Sequence, residues 1–212
     1  MACPICEKRK AKRFCPARGE NICSVCCGTE REVTIDCPSD CPHLVASREY
    51  DFERFGNDWS KAPFSETRIP TSFVTYQTKL ILSLSYQVCA FARDHRELVD
   101  SDVSAALIAL AEAYRTLSRG IYYEKPPDYV LQRGLYEAVK TGIADYKKAE
   151  SRDQALSSTR DAEIRDALIF LAQIGTLHMN GRPKGRAYLD FLRTQFSPQE
   201  FSQPKSNIVL LS

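Results

Sequence analysis

From residue 71 onward, apolar residues recur at the spacing of one helix face, whereas the first 45 residues sustain neither a helical nor a strand period. Phe73, Leu80, Ile81, Leu84, Val88 and Phe91 predict a first long helix from Thr71 to about His95. Val103, Ala106, Leu107, Leu110, Tyr114 and Leu117 predict a second, capped at Asp100 or Ser101 and stopped at Gly120. Pro126-Pro127 suits the first turn of a third, with Leu131, Leu135, Ala138, Val139, Ile143 and Tyr146 as its face and Gly134 and Gly142 as interruptions. Ser158-Thr159-Arg160-Asp161 has the form of a capping box and opens a fourth on Ile164, Leu168, Leu171 and Ile174, which Asn180-Gly181 and Pro183 would end. A shorter helix over residues 187–196 and a capped turn at Ser197-Pro198-Gln199-Glu200 complete the pattern. Such helices bury their stripes only against one another, so residues 71–201 are expected to form an all-α antiparallel bundle of four or five helices. Residues 46–70, polar with Tyr50, Phe52, Phe55 and Trp59 among the charges, read as a connecting segment, and residues 202–212 as a loose tail.

Composition changes this picture little. A chain of 212 residues has room for one substantial domain and a small one. Its formal charge of +2 is too small to argue by itself for nucleic acid or a membrane surface. No stretch approaches the roughly 18 consecutive apolar residues of a membrane-spanning helix, and residues 167–174, the longest apolar region, already contain Gln173. The first residues lack an apolar segment after a basic one, so no secretory signal is expected, and the expected location is cytoplasmic.

The cysteines change it more. Eight of the nine fall within residues 3–41, and only Cys89 lies apart, on an apolar helix where a thiol acts as a small hydrophobe. Residues 1–45 offer little apolar core, and in a reducing compartment a cysteine density of this kind means metal ligation. Cys3-x2-Cys6 and Cys23-x2-Cys26 are two knuckles separated by 16 residues, a spacing common to four-ligand zinc sites. Proline follows Cys3, Cys15, Cys37 and Cys41, fixing φ just beyond each sulfur. Cys15, Cys27, Cys37 and Cys41 remain, with His43 in reserve, and suffice for a second tetrahedral site. The expectation is therefore a small zinc-stabilised module with two zinc ions, placed ahead of the helices.

Here the chain resembles the cross-brace zinc modules of the HIT-type, MYND and B-box families. The resemblance rests on Cys3-x2-Cys6, Arg13-Phe14-Cys15-Pro16 and Ile22-Cys23-Ser24-Val25-Cys26-Cys27, and it covers the N-terminal fifth of the chain. It implies that alternate ligand pairs bind two ions. The chain departs from the pattern at Arg18, where a second cysteine of the Cys15 knuckle would stand. Cys26 or Cys27 would then supply the missing ligand, with Cys37-x3-Cys41 completing the set.

Eight thiolates suit closed structural sites, whereas catalytic zinc keeps an open position and enlists His or carboxylate. The His-x-Glu motif that zinc deaminases place ahead of Pro-Cys-x-x-Cys is absent. The expected function is a non-enzymatic interaction or adaptor protein that docks a protein partner. The alternative is an RNA- or DNA-associated factor that reads phosphates through Lys8, Arg9, Lys10, Lys12 and Arg13. A third is a redox or metal sensor using Cys26 and Cys27. Counted along the chain, residues 1–45 carry 7 basic against 6 acidic side chains, which favours a merely solvated loop for the cations. Gly181-Arg182-Pro183-Lys184-Gly185-Arg186 lacks the arrangement that cradles a nucleotide phosphate and reads as a turn between helices.

Overall fold

The computed structural model describes residues 1–55, 59–153 and 159–201; the expected tail at 202–212 and the cap residue Ser158 lie outside them. The chain opens with a hairpin of Arg13–Cys15 (β1) and Glu20–Ile22 (β2), antiparallel with Arg13 opposite Ile22. Gly19 makes the turn possible at φ 67, a left-handed conformation that costs a side-chain-free residue nothing. A short helix, Ser24–Glu30 (α1), and a longer one, Pro42–Phe55 (α2), follow. The remaining helices are Thr71–Tyr76 (α3), Thr78–Asp94 (α4), Asp100–Leu117 (α5), Val130–Asp153 (α6), Asp161–His178 (α7) and Ala187–Arg193 (α8). Single 3-10 turns sit at Trp59–Lys61 and Pro198–Phe201. The described residues are thus mainly helical, with one two-stranded sheet. No helix among them is long and apolar enough to cross a membrane.

Several elements depart from the periodicity. The first long helix is broken at Gln77, because Thr75 donates to Thr71 O and Thr78 to both Val74 O and Thr75 O, competing with the backbone ladder. Pro126 and Pro127 stay outside α6, which begins at Val130: a proline excludes the residue before it from the helical region, and here two stand in succession. α7 starts at Asp161, and the reciprocal cap is Glu163, whose carboxylate accepts the Arg160 N–H at 2.8 Å. At Ser197 the expected cap forms, with Glu200 accepting its N–H at 2.8 Å.

α4 to α8 share one core. Leu84 and Val88 of α4 meet Leu107 and Leu110 of α5, Leu135 and Ile143 of α6, Ile164 and Leu168 of α7, and Leu189 and Leu192 of α8. Each such side chain, fully buried, contributes about 1.5–3 kcal/mol. The glycines inside helices mark close approaches: a Cβ at Gly142 would meet Gln87 at 2.4 Å, and one at Gly175 the Tyr188 ring at 2.9 Å. A second, separate apolar cluster near the N-terminus holds only Ile22 and Ile35 apart from cysteines as its buried members. Two isoleucines cannot offset the entropy of ordering some 40 residues at roughly 1–2 kcal/mol each, so another force must hold that part.

Asp100 joins α5 to α8. It is almost wholly buried, and its two carboxylate oxygens accept the Tyr188 and Leu189 N–H groups, both at 3.1 Å. Burial pushes this carboxyl up to about 7, against the opposing pull of those N–H groups and of Arg48. The folded state therefore holds a proton that the unfolded chain releases near pH 4, so the group's contribution to stability falls as pH rises from about 4 to 7. Between pH 5 and 7.5 the wild type should lose about 2 kcal/mol through this group. Denaturant titrations of wild type and Asp100→Asn, compared across that range, check it: the variant should lack this slope.

Candidate metal centre

The backbone around Cys3 and Cys6 folds tightly because its own amides close the turn. Glu7 N–H donates to Cys3 O, and Cys3 N–H to Arg9 O, each at 2.7 Å. Glu7 takes the left-handed conformation at φ 54, which lets the chain double back beyond the second sulfur. β2 then delivers Cys23 beside this knuckle, with Ile22 fully buried beneath it. Cys23 is also the N-cap of α1: its Sγ accepts the Cys26 N–H at 3.3 Å, while its own N–H donates to Cys3 Sγ at 3.2 Å. The first turn of α1 places Cys26 on the same side.

The four ligand atoms of Cys3, Cys6, Cys23 and Cys26 all lie within 4.8 Å of one another, and Cys6 Sγ stands 3.9 Å from Cys23 Sγ. Tetrahedral zinc with Zn–S bonds of about 2.3 Å needs sulfurs about 3.8 Å apart, and all nine cysteines are free thiols. The donor set fits. Its electrostatics also call for a cation. N–H groups of Lys8 and Arg9 lower the Cys6 thiol to about 6, and for Cys3 the N–H groups of Cys23, Cys6 and Ile5 outweigh the upward push of burial. Burial and the three neighbouring thiols push Cys26 up to about 12. Four thiolates cannot share so small a space unless a dication compensates them, and a coordinated thiol is deprotonated outright.

Cys15, Cys27, Cys37 and Cys41 lie outside this group, which is the one close cluster of ligating side chains among the described residues. Cys15, Cys27 and Cys37 nonetheless pack on the same small core. Burial raises the Cys37 thiol, with the charges of Cys41, Glu32 and Cys15 adding to the effect. Arg31 is the telling neighbour. Its guanidinium is buried, its Nε has no partner, and its Nη2 points at Cys27 Sγ from 3.9 Å. No carboxylate forms an ion pair with it among the described residues. A buried guanidinium requires a partner, and the acceptor at hand is the Cys27 sulfur. His43 is half-buried and belongs to no cluster of ligands.

Residues 180–186, read in the sequence as a turn, grip the loop between Cys27 and Cys37. Lys184 N–H donates to Glu32 O at 2.8 Å and its Nζ to Thr34 O at 2.8 Å. Arg182 reaches Gly28 O and Arg31 O, and Arg186 pairs with Asp36. Glu32 is the centre of this clasp. Its side chain is 1% exposed, with Arg48 on Oε1 at 2.7 Å and Asn180 on Oε2 at 2.6 Å, while its N–H bonds Cys37 Sγ. Arg48 of α2 also holds Asp190 of α8 at 2.6 Å. Above it the His178 ring lies between Phe52 and Phe191, at centroid distances of 5.6 and 3.8 Å.

Of the other residues singled out in the sequence, Lys8, Arg9, Lys10 and Lys12 are exposed and Arg13 is half-buried. None of the five forms an ion pair among the described residues. Cys89 is buried, and burial pushes its thiol up to about 12, as for a core residue. Comparison with protein-family models, curated proteins and solved structures finds no match to this chain.

Proposed function

We infer that this chain is a non-enzymatic, cytoplasmic interaction protein whose N-terminal module is folded by zinc and whose helical body docks a protein partner. The carrying observation is the closed sulfur cluster of Cys3, Cys6, Cys23 and Cys26, whose four members are all cysteine. No His belongs to the cluster, and the Cys23 N–H donates to Cys3 Sγ at 3.2 Å. Such a site has no vacant position for a substrate. Arg31, which has no carboxylate partner among the described residues and donates to Cys27 Sγ, supports a second ion held by Cys15, Cys27, Cys37 and Cys41, with the guanidinium balancing the negative charge of a four-thiolate centre.

The helical part is read as an antiparallel bundle presenting one apolar face. Ile121, Tyr122, Tyr123, Tyr129 and Val130 are each more than 60% exposed and lie between α5 and the start of α6. Clustered exposed aromatics of this kind mark docking surfaces, because tyrosine buries a large area yet keeps a polar tip. Affinity capture with the zinc-loaded chain tests the reading. The wild type should retain a reproducible set of proteins, and the triple variant Tyr122→Ser/Tyr123→Ser/Tyr129→Ser should lose it while keeping zinc and helix content. Capture unchanged by the triple variant, or metal-dependent turnover of a substrate, would contradict it.

A further inference from the structure

We propose that the zinc module carries a binding face for single-stranded nucleic acid, built from Lys8, Arg9, Lys10, Lys12, Phe14 and Asn21. The near balance of charge in residues 1–45 does not survive folding. Glu32 is paired with Arg48 and Asp36 with Arg186, on the side that meets the helical body, and Glu20 is paired with Arg18. The Glu30 carboxylate accepts hydrogen bonds from Thr29 and Thr34. These acids are therefore occupied elsewhere, and the cations of residues 8–13 have no partner among the described residues. A zinc ion on four thiolates leaves that centre with two negative charges, and Glu7 adds one. The four exposed cations Lys8, Arg9, Lys10 and Lys12 exceed those three, so the face stays positive.

The face is also more than a run of charge. Successive residues of a strand alternate sides, so β1 turns Cys15 inward and Phe14 outward, and the pairing sets Phe14 opposite Asn21. Phe14 is 59% exposed and Asn21 is exposed too. Lys12, just before β1, is exposed, and its N–H donates to Ile22 O at 3.1 Å, which ties its backbone to β2. An exposed aromatic ring with an amide opposite it, directly after a run of exposed cations, suits a base that stacks and a single-strand backbone that follows the charge. A paired duplex hides its base faces from such a ring, and an acidic peptide would gain nothing from it. Cys3 N–H donates to Arg9 O and Glu7 N–H to Cys3 O, each at 2.7 Å, so the backbone that carries Lys8 and Arg9 is closed onto the metal knuckle.

The proposal rests on the zinc-folded module, so zinc content and far-ultraviolet dichroism are measured on every sample. The experiment is fluorescence anisotropy of the full zinc-loaded chain with labelled 12-nucleotide oligo-U and oligo-dT, a 12-base-pair duplex and a 12-residue poly-glutamate peptide. With about three phosphates neutralised, single-strand affinity should fall about 20-fold between 50 and 200 mM salt. Lys8→Gln/Arg9→Gln/Lys10→Gln/Lys12→Gln should remove that salt dependence and most binding at unchanged zinc content. Phe14→Ala should weaken binding about tenfold with the salt slope intact. No single-strand binding at 50 mM salt by zinc-replete protein overturns the proposal. So does equal affinity for duplex or for poly-glutamate with no effect of Phe14→Ala, which would assign the face to duplex phosphates or to an acidic protein. A sample that lacks zinc fails the metal reading and is distinguished by its metal content.

Discussion

Cys23→Ser should release the metal and unfold the module at residues 1–41 while leaving the helical body intact. Cys23 does three things at once: its sulfur belongs to the four-thiol cluster, it caps α1 by accepting the Cys26 N–H, and its N–H bonds Cys3 Sγ. Serine restores the cap but not the thiolate. Metal binding is folding free energy in such modules, with apparent values of about 10–16 kcal/mol for structural zinc at neutral pH. Loss of one of four ligands removes enough of this to leave Ile22 and Ile35 as the only buried side chains besides cysteines in that cluster. The body has its own core, which shares no residue with that cluster. Far-ultraviolet dichroism should thus keep the signal of α4 to α8, while proteolysis should open the chain before α3. A Cys23→Ser protein that retains zinc and resists protease at residues 1–41 would contradict the ligand assignment.

Glu32→Ala should cost about 3–5 kcal/mol, the range for removing one partner of a buried ion pair. The variant strips Arg48 of one of its two carboxylates and leaves Asn180 without its acceptor. Burial disfavours the charge on Arg48, but its hydrogen bonds to Asp190 and Glu32 outweigh this and raise the guanidinium above its ordinary value. Glu32→Gln, which keeps the shape and an acceptor but not the charge, should fall between wild type and alanine. Guanidinium denaturation read by dichroism checks the order, and hydrogen exchange at Lys184 N–H reports whether the clasp itself has opened. A change below about 1 kcal/mol would mean that the module and body are not held together through this residue.

The stripes of α5 and α7 could be read from spacing because their buried residues are apolar at every turn, from Val103 to Leu110 and from Ile164 to Leu171. α2 could not. Its inward positions are Leu44 and Arg48, four apart, and the second is charged because its partners Glu32 and Asp190 come from other parts of the chain. A half-buried ion pair across 142 residues leaves no periodic trace. The same holds for residues 180–186, whose cations look like a turn until Arg31, Glu32, Thr34 and Asp36 are set against them. The first metal centre was legible, since Cys-x2-Cys knuckles fix two sulfurs locally and the hairpin of β1 and β2 has only to bring them together. Cys15, Cys27, Cys37 and Cys41 come from four separate places on the module, so spacing alone cannot say how they meet.

The measurement closest to the central claim is the metal content of the purified chain combined with X-ray absorption at the zinc edge. About two zinc ions per chain are expected, each surrounded by four sulfurs at about 2.3 Å, with chelation unfolding the module and zinc alone restoring it. A folded chain free of metal, or zinc bound with nitrogen or oxygen in place of sulfur, would contradict it.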